Sequence, residues 1–185
     1  MTATPIPTSA SPDRATEPCA CTGARHGLHA GGHPAGAFTV TKLFDDLPCC
    51  HRSWAHDGRC VYLHGYERSF ELEFACAELD PATGFVIDFS ALKGVRARLA
   101  EQFDHTTLVA EDDPELPLFR TLAERGIVDL RVMRHTGMEG AAVWVLAEAS
   151  RLVEEATGGR VWVSRVEARE SRKNAVVLTA SPGGR

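Results

Sequence analysis

Residues 68–79 read RSFELEFACAEL, and this stretch decides the fold class. Apolar side chains recur at every second position, at Phe70, Leu72, Phe74 and Cys76, and glutamates stand between the first three of them. Successive side chains of a strand point to opposite faces of the sheet, so this period predicts a strand with one buried and one exposed face.

The segments on either side of this strand complete a mixed pattern. A strand is predicted over 38–44 and two closing strands over 161–168 and 175–178, and apolar residues at helical spacing predict helices over 90–103 and 140–156. The order β-β-α-α-β-β has no crossover rhythm. It therefore predicts an α+β domain whose helices lie on one face of an antiparallel sheet.

The chain of 185 residues suits one domain with a tail. Residues 1–36 are rich in Ala, Pro, Thr, Ser and Gly without apolar periodicity, so they are predicted to form a disordered N-terminal tail. The domain is expected over 37–180, followed by a short C-terminal tail over 181–185. A metal clip in the N-terminal tail is the less favoured alternative, since its thiols and imidazoles match no zinc spacing: Cys19, Cys21, His26, His29 and His33.

Composition excludes several classes of protein. Hydrophobic residues make up 44% and charged residues 24%, as in ordinary globular domains. The net charge of −5 argues against nucleic acid as the main partner, and no apolar run approaches the roughly 20 residues of a membrane helix. The first residues lack the basic and apolar regions of a signal peptide, so a cytoplasmic location with reduced thiols is expected.

A dense polar cluster lies between the first two predicted strands. His64 and Tyr66 are two residues apart and would project from the same face of a strand, and His51 could join them if the first strand pairs alongside. Such groups around an open position are typical of a catalytic zinc site. Cys60, four residues before His64, is a candidate nucleophile or base.

Two further groups are candidates for chemistry, and each also has a structural interpretation. Asp104 and His105 are an adjacent acid and imidazole able to relay a proton, but the same pair fits a helix end. A lone cysteine such as Cys60 is more often a small buried residue. Glu170 would by default be a solvated charge in a turn. Spacing alone indicates only a possible metal enzyme.

A wider pattern of motifs resembles the 6-pyruvoyltetrahydropterin and 6-carboxytetrahydropterin synthase family. That family shows H-R, then C-x-x-x-H-G-H, T-G-x-x-x-D-F-x-x-L-K, D-H-x-x-L and a closing E-T. The matching residues are His51-Arg52, Cys60 to Gly65, Thr83-Gly84, Asp88-Phe89, Leu92-Lys93, Asp104-His105, Leu108 and Glu170-Ser171. The resemblance covers about 37–178.

The resemblance implies the tunnelling fold, with a four-stranded antiparallel sheet and two helices. It also implies a homo-oligomer, a trimer or a hexamer of stacked trimers, with active sites between subunits. The implied substrate is 7,8-dihydroneopterin triphosphate. Loss of triphosphate would give the pyruvoyl product, and carbon–carbon cleavage with loss of acetaldehyde would give 6-carboxytetrahydropterin, a queuosine precursor.

The same resemblance implies roles for individual residues. His51 and His64 fall on zinc-ligand positions, with Zn²⁺ as the implied cofactor, and Cys60 falls on the catalytic thiol. Asp104 and His105 fall on the acid–imidazole pair. Glu170 falls on the carboxylate that would accept hydrogen bonds from the 2-amino group and ring N–H of the pterin. Arg52 or Lys173 is the candidate for contact with the triphosphate.

The chain departs from the family pattern at the third zinc ligand, because H-G-H reads His64-Gly65-Tyr66. Three outcomes are open. Tyr66 binds the metal weakly, another group completes the site, or metal binding is lost or altered. The candidates for another group are Cys49, Cys50 and His56, while strand alternation turns Glu67 away.

Other departures touch the pocket wall. Val109 stands where the family has Asn, the threonine of the usual T-x-E is replaced near Gly137, and 114–136 is long enough for a lid or an extra edge element. In that stretch a short helix over 118–124 and a short strand over 127–133 are predicted. Two functions are therefore expected as alternatives: a pterin-forming lyase, and a paralogue that binds a pterin- or purine-like ligand without the parent reaction.

Overall fold

The computed structural model describes residues 37–180. The strands are β1 Phe38–His51, β2 His64–Cys76, β3 Thr106–Ala110, β4 Leu130–Met133, β5 Val161–Arg169 and β6 Ala175–Thr179. The helices are α1 Lys93–Phe103, α2 Leu116–Glu124 and α3 Met138–Thr157, and two short 3-10 helices span Arg59–Val61 and Phe89–Leu92. The predicted tails 1–36 and 181–185, and the metal clip considered in the first of them, lie outside the described residues.

The six strands form one mixed sheet in the order β4-β3-β1-β2-β5-β6. Pairs β1–β2, β2–β5 and β5–β6 are antiparallel, as expected, whereas β1–β3 and β3–β4 are parallel. The expected four-stranded antiparallel sheet with two helices is therefore wrong, and the α+β class is right. The alternation signal missed β3 because all five of its residues are buried, which is usual for parallel strands covered on both faces.

Residues 114–136 supply α2 and the edge strand β4, which confirms the expectation of an extra edge element. The helix predicted over 118–124 begins two residues earlier, at Leu116, where Pro117 fits the first turn. The predicted strand 127–133 is shorter, since β4 spans only Leu130–Met133.

A β-bulge in β1 explains why this strand was predicted to end at Phe44. Phe44 pairs with Phe70 and Leu47 pairs with Arg68, so two residues of β1 oppose one of β2. The extra residue shifts the alternation by one position. Phe44, Leu47, Cys49 and His51 are consequently all buried, and the strand continues to His51 instead of stopping.

The core lies between the sheet and helices α1 and α3. Phe70 of β2 packs on Phe103 of α1 with ring centroids 4.9 Å apart, and Phe103 meets Trp144 of α3 edge-on at 5.4 Å. Burying one such ring contributes about 1.5–3 kcal/mol, so these ring contacts stabilise the packing of α1 and α3 on the sheet. No helix within residues 37–180 is both long and apolar enough to cross a bilayer.

The start of α3 is held close to the segment before it. A Cβ built on Gly140 would lie 2.1 Å from the carbonyl oxygen of His135. No real Cβ approaches a backbone atom that closely, so residue 140 must be glycine for the turn 134–137 to sit on this helix.

Candidate functional site

His51 and His64 face each other across β1 and β2, where they form the last pair of the antiparallel ladder. Their ring centroids are 4.4 Å apart. The Tyr66 ring lies 5.4 Å from that of His64 and 6.1 Å from that of His51. The pairing that the cluster required therefore exists, and the bulge in β1 puts His51 on the correct face.

His51 is 3% exposed, and neither ring nitrogen has a hydrogen bond to any described residue. Its Nε2 lies 3.2 Å from Glu170 Oε1 without the alignment of a hydrogen bond. Burial lowers the pKa of His51, and the Arg68 charge adds to this while Glu170 opposes it. A neutral imidazole with unsatisfied nitrogens in a buried position is the state that a metal ligand needs.

The tautomer of His64 follows from one contact. Its Nδ1 lies 2.7 Å from the carbonyl oxygen of Tyr62. A carbonyl only accepts, so Nδ1 carries the hydrogen and Nε2 of the neutral ring keeps a lone pair. A backbone acceptor behind the ring is the usual way to orient a ligating histidine.

The cluster lacks a common metal ligand at the third position, beside the two histidines. Within residues 37–180, no three His, Cys, Asp or Glu side chains lie close enough together to hold a metal ion. The donor set at hand is thus two imidazoles and the phenol of Tyr66, which is 41% exposed. These groups fit a zinc ion as nitrogen and oxygen ligands, with Tyr66 as the unusual one.

The alternatives to Tyr66 gain little support. Burial raises the pKa of the Cys49 thiol to about 11, so its thiolate is disfavoured in the free protein. His56 uses Nδ1 to accept a hydrogen bond from Gly58 N at 2.7 Å, within its own loop. Cys50 is half-buried, and its Sγ would contact a Cβ at Gly65.

Glu170 follows directly on β5 and reaches the same place as the histidines. Its side chain is 16% exposed, and Oε1 accepts a hydrogen bond from Arg68 Nη2 at 2.9 Å. Burial alone would raise the pKa of Glu170, but His51 and the Arg68 charge together hold the pKa below its usual range. The carboxylate is not the solvated turn charge of the default interpretation.

Arg68 is the site residue that sequence reasoning missed. It is 1% exposed and lies on β2 in the same row as His64 and Tyr66. A signal was present, because Arg68 continues the apolar row Phe70, Leu72 and Phe74 and is the one charge in it. A charge on the buried side of a strand is costly unless paired, so it marks a functional or structural ion pair.

Cys60 lies in the short 3-10 helix Arg59–Val61 and is exposed, not buried. Its carbonyl oxygen accepts a hydrogen bond from Ser53 N at 2.8 Å, which closes the loop between β1 and β2. That loop starts and ends at the paired residues His51 and His64. Cys60 therefore belongs to a loop whose two ends both lie at the histidine cluster.

Asp104 and His105 link α1 to β3, so the helix-end interpretation also holds for their backbone. Nδ1 of His105 lies 2.5 Å from Asp104 Oδ1, and the His105 side chain is 85% exposed. His105 N donates to Pro48 O at 2.7 Å, which fixes the pair beside β1. His105 and Tyr66 line one cavity of about 390 Å³.

Arg52, which with Lys173 was a candidate for contact with a triphosphate, is already paired with a carboxylate. Its Nε and Nη2 donate to the two oxygens of the buried Asp113, at 2.8 and 3.2 Å. Lys173 is exposed in the turn between β5 and β6. Thr136, which the motif comparison did not use, is buried, and its Oγ1 donates to Arg52 O at 2.7 Å.

Solved structures of other proteins share this fold. An uncharacterized protein from Wolinella succinogenes matches with a TM-score of 0.68 and 21% identity, covering 80% of this chain and 100% of the other. The 6-pyruvoyltetrahydropterin synthase of Caenorhabditis elegans matches with a TM-score of 0.55 and 20% identity, covering 79% and 97%. A variant of the Plasmodium vivax enzyme of that name gives 0.56 and 19%, covering 79% and 99%. The architecture is that of the pterin synthases.

Sequence comparison identifies the family of the chain. The family model for 6-pyruvoyl tetrahydropterin synthase matches residues 39–181, and the chain belongs to this family. The 6-carboxy-5,6,7,8-tetrahydropterin synthases of Rickettsia felis and Rickettsia typhi are 36% and 32% identical over 67 and 72 residues. Those matches take in 36% and 38% of this chain and 48% and 51% of the relatives, so the chain spans about half the length of the curated relatives it matches.

Proposed function

We propose that the chain is a zinc-dependent lyase that converts 7,8-dihydroneopterin triphosphate into 6-carboxytetrahydropterin or 6-pyruvoyltetrahydropterin. The observation that carries this proposal is the convergence of His51, His64 and Glu170 from three separate parts of the chain. Their arrangement sets possible metal ligands beside a recessed carboxylate. Family membership and the names of the curated relatives support the same chemistry.

His51, His64 and Tyr66 would hold the zinc ion. A bound zinc ion supplies a charge that lowers the pKa of hydroxyls on the substrate side chain. The backbone acceptor behind His64 keeps its Nε2 free for this purpose. The same ring orientation persists without metal, because Tyr62 O belongs to the main chain.

Glu170 would orient the substrate. Its carboxylate is ionised and accepts N–H donors, so the 2-amino group and the neighbouring ring N–H of a pterin are suitable partners. Fixing the ring in this way places the side chain of the substrate near the imidazoles. Such positioning contributes to rate without new chemistry.

Cys60, as thiolate, would take a proton from the side-chain carbon next to the ring. Asp104 and His105 would receive and return a hydroxyl proton, for which their 2.5 Å contact is suited. Departure of triphosphate gives the pyruvoyl product. Addition of water with cleavage of a carbon–carbon bond, and release of acetaldehyde as well as triphosphate, gives the carboxy product.

A homo-oligomer, either a trimer or a hexamer, is part of the proposal. The sheet ends at β4 and β6, whose outer edges have no partner strand among the described residues. Ring closure between copies would pair such edges. It would also cover His105, whose side chain is 85% exposed in one chain.

Turnover by the zinc-loaded protein tests the proposal. Purified protein would be incubated with 7,8-dihydroneopterin triphosphate, with release of triphosphate and the pterin products followed by chromatography. We expect product and about one zinc per chain by elemental analysis. Substrate left unchanged at high protein concentration, with zinc bound, would count against a lyase.

The second candidate is a ligand-binding paralogue without the parent reaction, and Tyr66 in the third ligand position favours it. In that case pterin binding survives treatment with a chelator, and the purified protein carries no stoichiometric zinc. The two candidates are therefore separated by metal content and by the chelator response.

A further inference from the structure

Arg68 places a positive charge at the base of the site, behind Glu170. It is the largest fully buried side chain among residues 37–180 and follows His64 and Tyr66 along one face of β2. The next residues of that row, Phe70 and Leu72, are apolar and fully buried. An apolar residue would cost nothing in desolvation at position 68, so the guanidinium must be retained for what it contacts.

One nitrogen of Arg68 makes both of its hydrogen bonds. Nη2 donates to Thr136 O at 2.7 Å and to Glu170 Oε1 at 2.9 Å. Nε and Nη1 are buried without a hydrogen-bond partner among residues 37–180. Arg68 thereby joins β2, the segment before α3 and the end of β5 at a single point.

The consequence for Glu170 is a fixed orientation. Oε1 accepts from Arg68 and lies 3.2 Å from His51 Nε2, so this oxygen faces the protein. Oε2 has no hydrogen bond within the described part of the chain, so it is the oxygen left for a ligand. Glu170 stands at the end of a strand, beside the turn 171–174, where an unpaired glutamate would sample several rotamers.

We propose that Arg68 is a positioning residue that presents Glu170 Oε2 to the N–H donors of an amino-pyrimidinone ring, and so helps to determine which heterocycle the site accepts. The proposal rests on the proposed function, because it takes Glu170 as the ligand anchor. A carboxylate held in one orientation, with Oε2 free and a second acceptor site left on Oε1, matches adjacent amino and ring N–H donors better than it matches a ring that lacks the amino group.

A double-mutant cycle with a binding readout tests this role. Neopterin is the probe, and the matching lumazine, with oxygen in place of the 2-amino group, is the comparison; affinities come from titration calorimetry. We expect Arg68→Met and Glu170→Ala each to weaken neopterin binding at least tenfold and to reduce the preference over the lumazine. In the Glu170→Ala background, Arg68→Met should have no further effect, since Arg68 acts through Glu170.

Arg98→Met is the matched control. Arg98 pairs with a glutamate, Glu148, and lies over the Trp144 ring, as Arg68 lies over the Phe103 ring, but it joins α1 to α3 and is 31% exposed. Its removal should leave both affinities unchanged. If Arg68→Met does not fold, Arg68→Lys replaces it in the same cycle, because lysine keeps the charge but not the guanidinium geometry.

The outcomes separate the two proposals. A wild-type protein that binds neither pteridine overturns the proposed function and the role of Arg68 with it. A wild-type protein that binds neopterin, with losses that add in the double variant or with no loss in the Arg68 variant, overturns the role of Arg68 alone.

Discussion

The candidate site has two halves that are built differently. Residues held by strands, His51 and Arg68, are 3% and 1% exposed and contact one another through Glu170. Residues held by turns, Cys60 and His105, are exposed to solvent. Within one chain, the strands therefore bury their part of the candidate site, whereas the part held by turns stays open to solvent.

The largest effect is expected for a change at Cys60, in the half of the site that is held by turns. Cys60→Ala should lower turnover of dihydroneopterin triphosphate by about 10²–10⁴-fold, the usual contribution of a general base. Neopterin affinity should not change, because the anchor belongs to the other half. Steady-state rates and titration calorimetry measure the two effects separately.

Cys76→Ala is the matched control for Cys60→Ala. Cys76 is a free thiol buried at the far end of β2, so its loss should affect stability but not turnover. Equal rates in wild type and Cys60→Ala would exclude Cys60 as the base.

A smaller effect, on zinc affinity, is expected for a change at Tyr66, which lies between the two halves. Tyr66→His should tighten zinc binding by about 10–100-fold, in line with the effect of single changes around a metal site. A competition titration with a chromophoric chelator measures it. Tyr62→His, which changes the only other tyrosine, should leave zinc affinity unaltered; identical affinity in all three proteins would place the metal away from Tyr66.

The smallest effect is a pH dependence of the free energy of unfolding, to which His51 in the strand-held half contributes. The folded protein lowers the pKa of His51 from its ordinary value of 6.5, mainly through burial. Below pH 6.5 the unfolded chain therefore binds a proton that the folded chain refuses, and stability falls as pH falls. A shift of one pKa unit corresponds to about 1.4 kcal/mol.

Urea unfolding at pH 7.5 and 5.5 measures this dependence. His51→Gln should lose less free energy of unfolding between these pH values than wild type does. His135→Gln, at an exposed histidine, should show the wild-type difference. An unchanged pH dependence in His51→Gln would mean that His51 does not contribute to acid sensitivity.

Sequence reasoning identified most elements but not how they are joined. The period of 68–79 predicted β2, although the strand is displaced toward the N-terminus and spans His64–Cys76, and helical spacing predicted α1 and α3 within a few residues. The second half of β1 was hidden because the bulge after Phe44 reverses the alternation, and β3 was hidden because it is buried on both faces. Parallel pairing is a tertiary fact that periodicity does not contain.

The site was predictable where residues are close in sequence and unpredictable where only folding brings them together. Sequence reasoning expected His51 to join His64 if the first strand paired alongside, and the strand register shows that pairing. It did not reveal that Arg68 and Glu170, 102 positions apart, share a hydrogen bond. A charged residue on the apolar face of a strand was the available clue.

Gly140 has a consequence for divergence within the family. Because the carbonyl of His135 occupies the volume where any side chain would begin, this position tolerates no exchange while the turn before α3 keeps its course. That turn also supplies Thr136 O, the second acceptor of Arg68. A lineage that keeps the buried guanidinium in its present bonds is thus expected to keep the glycine, and exchange of the glycine should accompany loss of those bonds.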